Sequence, residues 1–95
     1  MRFEFDAAKS KANLAKHGLD FADAASVLAS CYRLDVVSKR QGEERLQSFA
    51  YVFGRLAVLT VVHLEREGAT RVISFRPASK GESEVYYEWL SEEGD

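Results

Sequence analysis

Cysteine is almost missing from this chain. Cys31 stands alone, so an internal disulfide is excluded and a reducing, cytoplasmic setting is expected. Proline also occurs once, at Pro77, so nothing else in the chain forces a helix or strand to break by removing a backbone donor. No long hydrophobic run is present. The longest, Leu56 to Val62, contains Thr60 and falls far short of the roughly 20 residues a membrane helix needs. The first residues, Met1-Arg2-Phe3-Glu4-Phe5-Asp6, lack the apolar core of a signal peptide. The six glycines are scattered; they form no glycine-rich phosphate loop, and no serine nucleophile elbow occurs. Cys31, His17 and His63 have no zinc-like spacing. Neither a metal nor a cofactor is expected.

Positive charge is missing from the end of the chain. All thirteen bases precede Glu82, and from there on six acids stand with no base (Glu82, Glu84, Glu88, Glu92, Glu93 and Asp95). Residues 1–81 therefore carry thirteen bases against nine acids. A mildly basic body, suited to a polyanion, is joined to an acidic terminal segment.

Ninety-five residues suit one domain, 1–95, with a single core. Phe3 to Phe5 reads as a short strand. Asp6 caps a helix over Ala7 to His17, with Lys16 and His17 in the last turn, where cations suit the helix dipole, and Gly18 after it. Asp20 caps a second helix with the apolar stripe Phe21, Ala24, Ala25 and Leu28, ending near Ser30. Tyr32 to Val37 is a strand and Ser38 to Glu43 a polar loop. Arg45 to Phe53 alternates, with Phe49, Tyr51 and Phe53 on one face and Leu46, Ser48, Ala50 and Val52 on the other. Leu56 to Leu64, apolar on both faces, is a central strand covered on both sides. Glu65-Arg66-Glu67-Gly68 is a turn, and Thr70 to Arg76 the last strand. Ser79 and Glu82 form a capping box for a final helix with the stripe Val85, Tyr86, Trp89 and Leu90. The order β-α-α-β-β-β-β-α implies an α+β fold: an antiparallel sheet of four to five strands, two N-terminal helices and one C-terminal helix.

The segment Arg71-Val72-Ile73-Ser74-Phe75-Arg76-Pro77 concentrates two guanidinium groups, which suit phosphate. Strand alternation sends Arg71 to the side of Ile73 and Phe75, and Arg76 to the side of Val72 and Ser74. His17 is the best candidate for proton transfer, because imidazole changes charge near neutral pH. His63, in the most apolar strand, reads as a hydrogen-bonded, semi-buried side chain. Tyr86 reads first as core, with a phenol that can reach a rim. Histidine, lysine, tyrosine and arginine suffice for metal-free RNA cleavage, in which the chain's own 2′-hydroxyl attacks the neighbouring phosphorus. That reaction needs a base, an acid and cations, but no side-chain nucleophile.

Three stretches carry a resemblance. They are Phe3-x-Phe5-Asp6-x-x-Lys9-x-x-x-Asn13-x-x-Lys16-His17-Gly18-x-x-Phe21, then Glu43-Glu44-Arg45, then Arg71-Val72-Ile73-Ser74-x-Arg76-x-Ala78-x-x-x-Glu82-x-x-x-Tyr86. In this order they resemble the signatures of the BrnT family, toxins of type II toxin–antitoxin pairs. The resemblance implies a fold similar to RelE-like ribonucleases, RNA cleavage that halts translation, and a complex with a BrnA-type ribbon-helix-helix antitoxin. Through that complex alone the protein would reach operator DNA and repress its own operon. Lys16, His17, Arg71, Arg76 and Tyr86 then become the expected catalytic set, with Arg45 and Lys9 as RNA contacts. The chain departs from the family at Phe5, where tryptophan is usual, at Pro77, and at the weakly basic Lys80-Gly81-Glu82-Ser83-Glu84. The competing expectation is a non-catalytic module that uses the same basic face to hold a partner or nucleic acid.

Overall fold

The computed structural model describes residues 2–40 and 42–93, and the side chains of all of these except Arg40 and Glu93. The strands are β1 (Arg2–Glu4), β2 (Leu34–Arg40), β3 (Glu43–Val52), β4 (Ala57–Arg66) and β5 (Ala69–Pro77). The helices are α1 (Ala7–His17), α2 (Ala25–Leu28), entered through a 3₁₀ turn at Phe21–Ala24, and α3 (Lys80–Glu93). No helix among the described residues is long and apolar enough to cross a membrane.

The five strands form one sheet in the order β1-β5-β4-β3-β2. β2 to β5 pair antiparallel, as their short connections require. The expected purely antiparallel sheet is corrected at its edge: β1 runs parallel to β5, with Arg2, Phe3 and Glu4 opposite Ala69, Thr70 and Arg71. No tight turn links β1 to its neighbour, so no turn signal sets its direction.

Local chemistry explains most boundaries. The Asp6 carboxylate accepts from the amides of Ala8 (2.8 Å) and Lys9 (3.1 Å). Gly18 takes φ +72° and closes α1 by donating to the Leu14 carbonyl. The second helix departs from expectation. Phe21, Ala24 and Val27 are its deepest residues, and a spacing of three suits a 3₁₀ turn better than an α-helix. Ala25 is only half-buried, and the helix ends at Leu28. The expected polar loop over Ser38 to Glu43 is mostly strand. Lys39 stands opposite Glu44, an opposite-charge pairing that favours the ladder, and Gly42 (φ +77°) lies in the turn.

The faces of β3 and β4 alternate as expected. Ala50, Leu59 and Val61 join Leu19, Phe21, Ala24, Val27, Val72 and Phe75 under the N-terminal helices. Phe49 and Val58 meet Tyr86 of α3 on the opposite face, with Leu34, Tyr51, Trp89 and Leu90 around them. β4 is thus covered on both sides. α3 caps only one end of its face, and Val85, expected in the buried stripe, is exposed. The contacts fall to Tyr86, Trp89 and Leu90 instead.

Tyr86 also replaces a ladder rung. Pairing of β2 with β3 stops at Leu34 and Phe49. Beyond it the Tyr86 hydroxyl donates to the Tyr32 carbonyl (2.7 Å) and accepts from the Tyr51 amide (3.3 Å). Tyr86→Phe should keep the ring packing and lose about 1–2 kcal/mol of stability by stranding both backbone groups. Tyr86→Ala should lose about 3–5 kcal/mol. Urea unfolding followed by circular dichroism measures both.

Candidate functional site

One extra residue reshapes β5. Val62 pairs with Ser74 and His63 with Val72, so Ile73 stands unmatched in a β-bulge. Below it Arg71 faces Leu64; above it Arg76 faces Thr60. Leu64 and Thr60 lie four residues apart on regular β4 and share a face. Arg71 and Arg76 therefore also share a face, the one α3 partly covers. The expectation that they diverge held only for a regular strand, and the bulge overturns it. Arg45 of β3 lies on this face too, in step with Gln47, Phe49 and Tyr51.

Arg76 is committed to an internal clamp. Its guanidinium meets Glu82 in a bidentate pair at 2.7 and 3.0 Å, a strong planar geometry. Glu82 further accepts from the Ser79 amide (2.8 Å) and from Gln47 Nε2 (2.9 Å). The Ser79 hydroxyl returns the cap by accepting from the Glu82 amide (3.2 Å). The expected capping box is present, and it also fastens α3 to β5 and β3. The Arg76 hydrogen bond, foremost, holds the Glu82 carboxyl down at about 2, well below its ordinary 4.5. Arg76 is thus neutralised where the sequence suggested an open phosphate ligand. Arg45 is likewise paired, with Glu43 at 3.0 Å. Arg71 has no carboxylate partner among the described residues.

The end of α1 meets the same strand from the opposite side. β1 covers β5 only at residues 69–71. Farther along, the Asn13 amide takes over, donating to the Phe75 carbonyl (2.6 Å) and accepting from the Phe75 amide (3.4 Å). Asn13 also donates to the Leu19 carbonyl (2.8 Å), which sets the loop after α1. This docking makes a groove of about 270 Å³ with Lys9, Lys16 and His17 on one wall and Ile73 and Ser74 on the other. No carboxylate is among its described lining residues. Lys9, Lys16 and His17, expected as RNA contact and proton-transfer groups, are brought together at the bulge. Tyr86, expected to reach a rim, is instead fully in the core, with its hydroxyl engaged by backbone. The phenol's first task, completing the β2–β3 junction, draws it inward.

The sequence reading missed a polar chain beneath the helices. Asp35, Ser48, His63 and Glu65 line up across β2, β3 and β4, with Arg33 at one end and Thr70 at the other. Ser48 donates to Asp35 (2.5 Å), so its one proton is used, and His63 Nε2 must donate to Ser48 Oγ (2.7 Å). A serine hydrolase needs the opposite polarity, with the serine proton directed at histidine. Ser48 and His63 are fully buried as well, so the pair is structural. Burial, foremost, lowers the His63 pKa despite Glu65 at 3.7 Å. Burial alone would raise Asp35, but its bonds from Arg33 and Ser48 outweigh that and hold it low. The parity of Ser48 and His63 on neighbouring strands was the available signal.

Residues 5–82 match the family described as the ribonuclease toxin BrnT of type II toxin–antitoxin systems. The match spans α1, the whole sheet from β2 to β5, and the start of α3 as far as Glu82. No curated protein matches the chain significantly.

Two titrations should separate in stability measurements. His63 binds fewer protons folded than unfolded, so stability should begin to fall as pH drops below about 6.5. Glu82 is depressed in the folded state, so its contribution is complete above about 4.5 and is lost as pH falls towards 2. Its full linkage value, about 3 kcal/mol, is reduced to about 2 kcal/mol by the partly solvent-exposed Arg76. Glu82→Gln should lose that amount at pH 7 and flatten the profile below 4.5 while keeping the decline below 6.5. Urea midpoints between pH 3 and 8 read out both effects.

Proposed function

This chain belongs to the BrnT family of ribonuclease toxins of type II toxin–antitoxin systems, and from that membership we propose that it cleaves RNA without a metal ion at the bulged edge of β5. The carrying observation is the groove in which Lys9, Lys16 and His17 face Ile73 and Ser74 with no described carboxylate in the lining. Arg71 stands on the same strand beyond the bulge, opposite Glu4 of β1 and on the α3 face. A backbone phosphate laid in this groove meets the cations of α1.

The chemistry needs no protein nucleophile. The ribose 2′-oxygen bonds to the adjacent phosphorus as the bond from phosphorus to the 5′-oxygen breaks. The products are a 2′,3′-cyclic phosphate and a free 5′-hydroxyl. Lys16 and His17 take the 2′ proton and return one to the leaving 5′-oxygen. Lys9, beside them in the groove, stabilises the charge that develops on the phosphoryl oxygens, while Arg71 and Arg45, on the α3 face, meet flanking phosphates that pass over the sheet edge. Arg76 acts as a positioning residue, fixing the strand end through Glu82. Tyr86 supports the scaffold from the core. In this reading the partner is a BrnA-type antitoxin encoded beside the toxin, and their complex represses the shared operon from the cytoplasm.

One observation favours a second reading. Glu82 neutralises Arg76, which lowers the positive potential of the edge and suits a toxin retained as a non-catalytic co-repressor. That form binds RNA or its partner and cuts nothing.

Purified protein incubated with RNA in EDTA should produce fragments ending in cyclic phosphate. Lys16→Ala and His17→Ala should each slow cleavage about 100-fold or more, while Arg71→Ala should chiefly weaken RNA binding, with unchanged circular dichroism. Growth arrest on induction should be lost in parallel. Intact RNA together with normal growth on wild-type induction defeats the catalytic reading; RNA binding that survives His17→Ala without cleavage supports the co-repressor. Arg76→Ala needs a stability measurement beside it, because it also releases α3.

A further inference from the structure

We propose that the aromatic groove between α3 and the β3–β4 hairpin docks an amphipathic helix of a partner protein, with lysine or arginine flanking its apolar stripe. The inference rests on the reading that an antitoxin neutralises this toxin, and it goes beyond that reading by assigning the surface.

The groove measures about 590 Å³ and is lined by Tyr32, Tyr51, Phe53, Tyr87 and Leu90, with Tyr86 at its base. None of these side chains belongs to the cationic edge of β5. The rings are already set in place. Tyr51 and Phe53 pack edge to face at 5.1 Å, and Tyr86 and Tyr87 at 5.7 Å. Such rings lose little freedom on binding, which is how aromatic anchors gain affinity.

The hairpin tip adds an independent observation. Phe53 is 82% exposed and Leu56 77% exposed, and Leu56 holds φ +53°. A turn needed only to reverse the chain favours glycine or asparagine at a left-handed position. Here a bulky leucine occupies one while facing water. Backbone preference and solubility both oppose that choice, and a partner that covers the tip accounts for it.

Charge selects the occupant. Glu84, Glu88 and Glu92 recur every fourth residue on exposed α3, forming one stripe beside Tyr87. No base occurs from residue 82 onward. Aromatic grooves also stack nucleobases, but those sites sit in positive surroundings; this rim repels phosphate. A partner helix lying along α3 meets one carboxylate per turn and pairs with it from its own basic flank. Its apolar stripe enters the groove in the helix-in-groove mode.

The test co-expresses the full chain with the product of the adjacent reading frame and measures affinity by calorimetry. Phe53→Ser with Tyr87→Ser should weaken the complex roughly 30-fold or more, the scale of hot-spot truncation. Those variants should still arrest growth, now without rescue by the partner. Glu84→Lys with Glu88→Lys should weaken binding several-fold and reverse its dependence on salt. Thermal melts check that the variants fold. Binding unchanged in both variant sets overturns the groove while leaving the antitoxin reading intact. Failure of the wild-type chain to bind the adjacent product overturns both. Two controls can also overturn the assignment: a fluorescent oligouridine whose binding is lost in Phe53→Ser gives the groove to RNA, and sedimentation showing a wild-type dimer lost in that variant gives it to a second copy.

Discussion

The outer edge of β5 must be closed along nine residues, and β1 supplies a partner for only three of them. An open strand edge is an invitation to unwanted pairing. Here the gap is filled by one side chain, the Asn13 amide, which grips the Phe75 amide and carbonyl as a neighbouring strand would. That grip sets the position of α1 against the sheet, and the bond from Asn13 to Leu19 sets the chain that follows. Lys9, Lys16 and His17 are placed along β5 as a consequence. The bulge at Ile73 lies within the same open stretch. The groove is therefore a product of incomplete strand pairing, repaired locally by a polar side chain.

Charge is divided by the same architecture. The basic body and the acidic terminal helix meet at one point, where Glu82 takes the Arg76 guanidinium. Beyond that contact the two regions serve opposite purposes. The groove beside β5 has no carboxylate among its described lining residues, which suits a polyanion. The exposed face of α3 carries carboxylates beside aromatic rings, which suits a basic partner. The clamp also makes Arg76 a poor probe of chemistry, because its removal frees α3 from the sheet.

Local signals in the sequence carried far. The caps at Asp6, Gly18 and Ser79, the alternation of Arg45 to Phe53, and the doubly apolar β4 were all legible, since each depends on residues a few positions apart. The candidates Lys16 and His17 were legible as residue types at a helix end, and Arg71 as a guanidinium within the last strand. Three things were not. The parallel pairing of β1 has no turn to announce it. The bulge adds a residue without a glycine or proline to mark it, and it reverses which face Arg71 shares with Arg76. The polar chain through Ser48 and His63 was hinted at by their shared face on neighbouring strands, but its links to Asp35 and Glu65 emerge only from register.

The sequence by itself determined where most elements begin and end, which of them are amphipathic, and that every base lies before residue 82 while the charged residues beyond it are all acids. Those properties follow from capping, periodicity and charge, which act over one or two turns of chain. Only the tertiary structure decided what each polar group is free to do. It buried the Tyr86 hydroxyl at the β2–β3 junction, bound Arg76 to Glu82, and set Lys9, Lys16 and His17 along one groove. Availability for chemistry depends on which partner reaches a group first, and that partner can lie anywhere in the chain.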